Sequence, residues 1–166
     1  MAIDPRAYSE TQLTAPAPLP FVSRRALKRV KDPAPMPVTC KCGGRVELVE
    51  NSEIYNGRTY GDWPYAYLCR GCQAYVGLHP HTDIPLGTPA DKATRMARQD
   101  CKAVFEPIWR NKVMSRTKVY AWLAKRMGLD VSECHFGLFD IDQCFKAAAA
   151  CAELSNFSSN QPRKGK

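Results

Sequence analysis

Two tight cysteine pairs constrain this chain more than any other feature. Cys40-Lys41-Cys42 runs into Gly43-Gly44, and Cys69-Arg70-Gly71-Cys72 follows 26 residues after Cys42. A structural zinc ion takes four thiolate or imidazole ligands at about 2.0–2.3 Å, arranged as a tetrahedron. Tight turns at the ends of neighbouring hairpins can supply all four. The Cys69–Cys72 spacing is that of a zinc knuckle, with Gly71 available for the positive φ such a turn takes. Cys40 and Cys42 are one residue closer than the usual pair, yet both sulfurs still reach one ion. The 26 intervening residues hold two or three strands with their turns. Knuckle, hairpin, knuckle and strand in that order describe a zinc ribbon. The metal set read from the sequence is Cys40, Cys42, Cys69 and Cys72 around one structural Zn2+. The alternative makes Cys40 or Cys42 a spectator, with His79 or His81 completing the shell.

The other four cysteines, Cys101, Cys134, Cys144 and Cys151, are scattered. Three fall on apolar helix faces, where a free cysteine acts as a small core residue. The alternative for this group is a second metal site from Cys134, His135 and Cys144. No run of about 18 apolar residues is present, so no membrane helix is predicted. The start, MAIDPRAYSE, lacks the basic and apolar stretches of a signal peptide. A reducing cytoplasm is therefore expected, and there close cysteines point to metal rather than disulfides.

The expected organisation has four parts. Residues 1–37 read as a flexible Pro-rich, basic leader with a short helix over SRRALKRVK capped by Ser23. Residues 38–85 read as the zinc ribbon. RVELV alternates, Asn56-Gly57 marks a type I′ hairpin turn, and YAYLC and AYVGL are rich in aromatic and β-branched residues. Residues 86–154 read as three helices. The first opens at Thr88-Pro89-Ala90-Asp91 and ends or kinks at Glu106-Pro107. The second spans Arg116 to Met127, between a Ser115 cap and Gly128. The third spans Ile141 to Leu154, capped by Asp140, with Cys144, Phe145, Ala148, Cys151 and Ala152 facing inward. Residues 155–166 read as a disordered basic tail. The fold class is α+β: a small antiparallel zinc-ribbon sheet followed by a three-helix segment.

Charge narrows the function. The chain carries +8, and residues 91–126 alone hold ten Lys/Arg against three Asp/Glu. A concentrated basic surface suits nucleic acid or an acidic protein partner. Lys92, Arg95, Arg98 and Lys102 share one stripe of the first helix, and Arg116 and Lys118 extend the patch. These six form the predicted nucleic-acid-binding set. Tyr55, Tyr60, Trp63, Tyr65, Tyr67 and Tyr75 lie on the ribbon, where about two exposed rings are expected to be free to stack on unpaired bases. Catalysis has less to draw on. His79, His81 and Asp83 offer a cluster after the second knuckle, but a four-thiolate zinc is closed and cannot activate water. The reading stays open on enzymatic activity and leans against it.

Several stretches together, the run from Cys42 to Asp91, FEPIW, YAWLAKRMGL and CHFGLFDIDQC, resemble a phage and prophage family known as the zinc-finger-containing domain, of unknown function, over about residues 36–150. The resemblance implies a zinc ribbon with a helical segment, encoded by a bacteriophage and working in the host bacterial cytoplasm. One position departs from it: Thr39 stands where the family has its first cysteine, and Cys40 follows one residue later. The expected function is an accessory, regulatory zinc-ribbon protein that binds nucleic acid through its basic helices. The alternative is a host–phage protein–protein modulator, acting on a host defence or transcription enzyme or on a phage replication protein.

Overall fold

A computed structural model describes residues 2–159, with side chains through residue 154. The chain forms two units, Met1–Asp91 and Lys92–Lys166. The first is built on a three-stranded antiparallel sheet in the order β1 (Val46–Glu50), β2 (Tyr65–Cys69), β3 (Tyr75–Gly77). Val46 pairs with Cys69 and Leu48 with Tyr67, while Tyr67 also pairs with Val76. Strand periodicity therefore places Val46, Tyr67, Cys69 and Val76 in one buried cluster. The α+β reading holds: a small antiparallel sheet comes first and helices follow.

Residues 2–31 of the stretch expected as a flexible leader are instead folded onto this sheet. Ala7, Leu19, Val22, Leu27 and Val30 are buried in the same cluster as Tyr67, Val76, Leu78 and Ile84. Leu27 is wholly buried, which stabilises the fold by roughly 1.5–3 kcal/mol relative to an exposed side chain. A three-stranded sheet needs cover on its apolar face, and this segment supplies it. Ser23 caps α1 (Arg24–Leu27) as expected, its side chain accepting from the Ala26 N–H. The Ala2 N–H donates to the Asp32 carboxylate, and the Asp32 N–H donates to the Ala2 carbonyl. Those two bonds close the segment on itself.

Asn56 and Gly57 do form a left-handed turn, with φ of 54° and 84° and Arg58 N–H donating to Tyr55 C=O. That turn is not a two-residue hairpin loop with strands on both sides, however. β1 pairs directly with β2, and the turn sits in the connection between them, after a 3-10 turn over Asn51–Glu53. Thr88-Pro89-Ala90, expected to start a helix, is held by the sheet. Ala90 exchanges both backbone hydrogen bonds with Tyr75, at 3.2 and 3.1 Å.

The second unit holds α2 (Lys92–Arg110), α3 (Arg116–Met127) and α4 (Ile141–Ser159). α2 runs through Pro107, because Phe105 and Ile108 on either side are both buried in the core and hold its last turn. α3 has the predicted bounds: Ser115 accepts from Lys118 N–H, and Gly128 takes φ 69° at the C-terminus. α4 opens with a reciprocal cap, Asp140 accepting from Gln143 N–H and the Gln143 side chain accepting from Asp140 N–H. It continues past Leu154 to Ser159, and residues 160–166 of the expected tail lie outside the described residues. Its inner face is rotated from the one predicted. Cys144, Ala147, Ala150 and Cys151 are buried, whereas Phe145 is 68% exposed. Phe105, Tyr120, Phe136 and Phe139 form a chain of tilted and edge-on rings 4.7–5.4 Å apart, through the Phe105–Tyr120, Phe105–Phe136 and Phe136–Phe139 contacts. No helix among the described residues is long and apolar enough to cross a membrane.

Candidate metal centre and basic surface

The cysteine turns are built from local backbone bonds. In the first, Gly43 takes φ 83°, its N–H donates to Cys40 C=O, and Cys40 N–H returns to Gly44 C=O at 2.9 Å. A bridge between Thr39 and Arg45 closes that loop, so Thr39 serves as backbone and Cys40 as the sulfur donor. In the second, Cys69 N–H donates to Ala74 C=O and Gln73 N–H to Cys69 C=O. The left-handed residue there is Gln73, at φ 63°, rather than Gly71.

Gly71 has a different task. A Cβ on it would lie 3.2 Å from the Gly44 Cα and 3.4 Å from the Cys42 sulfur. A Cβ on Gly44 would lie 2.7 Å from the Cys69 sulfur and 3.0 Å from the Gly71 nitrogen. The two turns approach so closely that a side chain on Gly44 would overlap the Cys69 sulfur and one on Gly71 would press on Gly44. Gly44→Ala is therefore expected to spread the turns and weaken metal affinity about 10–100-fold, as loss of a ligand's supporting shell does. Competition with a chromogenic chelator measures this; an affinity equal to wild type would contradict it.

The result is one cluster of sulfurs. Cys40 and Cys72 lie 3.7 Å apart, Cys42 and Cys69 3.5 Å apart, and all four within 4.8 Å of one another. A tetrahedron with about 2.3 Å metal–sulfur bonds has edges of about 3.8 Å. The four sulfurs thus fit one metal ion of the zinc type. The Cys72 N–H donates to the Cys69 sulfur and draws its pKa down to about 6, so Cys69 is ready as a thiolate. The Ala74 N–H lowers Cys72 too. Its neighbour Cys42, burial, and the Cys69 and Cys40 thiols outweigh that and push it up to about 12.

Neither histidine joins the cluster. The His81 ring stacks on Phe21 at 5.7 Å and lies 5.2 Å from Trp63, and the His79 backbone closes the turn to Ile84. Asp83 is 2% exposed and bound by Arg6 through both oxygens, at 2.7 and 2.8 Å. His81 and Asp83 are thus engaged within the loop, the first by ring packing and the second by the Arg6 ion pair. Cys101, Cys134, Cys144 and Cys151 are buried in the helical core, and the four-cysteine cluster is the metal-binding group found among the described residues. Burial raises the thiols of Cys101 to about 12 and of Cys134 and Cys151 to about 11, the behaviour of unreactive core residues.

A family model described as a zinc-finger-containing domain matches residues 36–154. The chain belongs to that family. The zinc-finger-containing domain spans the cysteine cluster and all of the helical unit up to Leu154, and begins after the segment that covers the sheet. No curated protein and no solved structure matches the chain.

The predicted basic set divides on inspection. Arg98 is half-buried, and its Nε donates to Phe139 C=O at 2.8 Å, which ties α2 to the turn before α4. Lys102 lies 3.6 Å from Glu106, which also binds Arg110. Arg95 is half-buried. Lys92, Arg116 and Lys118 are exposed. Arg116 lies over Trp109 and Tyr120 at 5.5 and 5.7 Å, and Arg110 lies 5.5 Å over the same Trp109. Periodicity could not separate these roles, because the bond from Arg98 crosses 41 residues of sequence. Of the six ribbon aromatics, Tyr55 and Tyr60 are the exposed ones.

Proposed function

We propose that this member of the zinc-finger-containing family is a phage-encoded accessory or regulatory protein. One structural zinc ion is held by Cys40, Cys42, Cys69 and Cys72, and nucleic acid binds to the basic surface of the helical unit. The observation that carries the nucleic-acid reading is charge left unspent. Lys92, Lys112, Arg116, Lys118 and Lys125 are exposed, and none is in an ion pair with a carboxylate among the described residues. Such cations exchange condensed counterions for phosphates, which gives salt-dependent binding without reading sequence. Zinc here supplies rigidity, since a shell of four thiolates leaves no open position.

The test is a combined reversal, Lys92→Glu, Arg116→Glu and Lys118→Glu, with affinity for a labelled oligonucleotide followed across a salt series. Affinity should fall, and the slope of log K against log salt should become shallower by about 0.7–0.9 for each phosphate no longer engaged. Zinc content should stay unchanged. A variant that binds with wild-type affinity and slope overturns this assignment of the surface.

One observation favours the second reading, a modulator that docks on a protein. Met96, Val104 and Phe145 are exposed around an apolar groove between α2 and α4, floored by Ala97, Cys101 and Cys144. Nuclease treatment separates the two readings. A partner protein retained at stoichiometric level after nuclease favours the modulator, and loss of all bound material favours nucleic acid.

A further inference from the structure

We propose that the sheet unit carries a second nucleic-acid site, a pocket for one unpaired nucleotide formed by Tyr8, Arg24, Arg25 and Lys28. This inference rests on the nucleic-acid reading above but uses different residues, in a segment outside the family match. The pocket, of about 480 Å3, lies between the 3-10 turn Pro5–Tyr8 and α1, and its wall is completed by Ala7 and Ser9. It is a shallow depression open to solvent, so a ligand there would lie against its wall rather than be enclosed.

Three cations and no acid line this space. Neither Arg24, Arg25 nor Lys28 is in an ion pair among the described residues. Arg24 donates to Thr11 C=O at 3.2 Å, which uses one of its five donors and fixes the guanidinium at the rim. The remaining donors suit phosphate oxygens. Tyr8 sets this patch apart from a plain basic face. Its ring is 63% exposed, and the Lys28 ammonium sits 5.0 Å from the ring centroid. A cation on one face of a ring leaves the other for a base, and every base has a π-face to offer.

The combination selects among anionic ligands. Inorganic phosphate would use the cations and leave the ring idle. Duplex DNA presents phosphates with its bases already stacked, so it too would leave the ring idle. A single strand uses both, with a base on Tyr8 and the flanking phosphates on Arg24, Arg25 and Lys28.

The experiment uses the full zinc-loaded chain and fluorescence anisotropy with a dye-labelled oligothymidylate and a labelled duplex. Tyr8→Leu should weaken single-strand binding about tenfold, the scale of removing one stacked base, and leave duplex binding unchanged. Tyr8→Phe should bind as wild type, since the ring stays. Arg25→Glu with Lys28→Glu should weaken single-strand binding and flatten its salt dependence. Wild-type affinity in Tyr8→Leu overturns the pocket, as does a loss in Tyr8→Phe equal to that in Tyr8→Leu. Displacement of the oligonucleotide by polyglutamate as readily as by unlabelled strand makes the ligand an acidic peptide and also overturns it. The helical triple reversal separates the two surfaces. If it loses binding while Tyr8→Leu keeps it, the pocket fails and the helical assignment stands. The converse result keeps the pocket and removes the helical assignment. No binding by the wild type ends both.

Discussion

Cys69→Ser is expected to leave the protein without bound metal and to unfold the sheet unit while the helices persist. Cys69 is fully buried, pairs with Val46 in the sheet and sits among the other three sulfurs. Structural zinc contributes an apparent 10–16 kcal/mol in small metal-stapled domains, against a net stability of about 5–15 kcal/mol for a typical domain. Losing the ion therefore removes enough to unfold the unit rather than merely soften it. The zinc-to-protein ratio should drop from about one to near zero in Cys69→Ser. The amide spectrum of residues 38–90 should collapse, with helical circular dichroism largely kept, because the helical core around Phe105, Leu123 and Phe139 is a separate cluster. A metal-free variant with an intact sheet spectrum would show that the cysteines are not a staple.

Arg6→Ala should destabilise the sheet unit by about 3–5 kcal/mol, the cost of leaving a buried charge uncompensated. Arg6 binds both oxygens of Asp83, and its Nε and Nη2 bind Asp4 at 3.1 and 2.6 Å. Removing the guanidinium strands the Asp83 carboxylate in the interior. Arg70, which pairs with Glu47 and Glu53 on the surface, provides the contrast, since exposed pairs are worth about 0–1 kcal/mol. Urea unfolding of the two alanine variants should separate them clearly. Arg6→Ala with Asp83→Ala should be less destabilised than the sum of the single changes. A pH signature accompanies the cluster. Hydrogen bonding from Arg6 holds the Asp4 carboxyl below its ordinary 3.8. A depressed carboxylate adds stability that is present above that ordinary value and is lost as pH falls below it, toward the folded value. The acid limb should therefore be shallower in Arg6→Ala than in wild type. Equal stability in the two proteins would show that the Arg6–Asp83 pair carries no weight.

What could be read from the sequence was local. Ser23, Ser115, Asp140 and Gly128 act within one helical turn, and each marks its helix end as expected. The four metal-site cysteines were legible for the same reason, since each pair is a short turn and one sheet joins the two. Long-range contacts were not legible. Nothing in PRAY announces that its arginine will meet Asp83, 77 positions away, and a segment rich in proline and alanine looks like a linker until its few apolar residues find a sheet to cover. Phe145 misled because 3.6-residue spacing admits two adjacent faces on α4. Packing chose the one with Cys144, Ala147 and Cys151. Arg98 read as a phosphate ligand because a sequence gives no sign of a carbonyl waiting across the fold. The close approach of the cysteine turns was invisible too, since Gly44 and Gly71 meet only once the sheet has formed.

The sheet's cover comes from residues 2–31, whereas the family match starts at residue 36. Two definitions of a domain thus disagree here. A chain trimmed to residues 36–154 would lose that cover. Water would then reach Tyr67, Val76, Leu78 and Ile84, and those side chains would seek apolar company in neighbouring molecules. The stretch outside the family match is the stretch that covers the apolar side chains of the sheet.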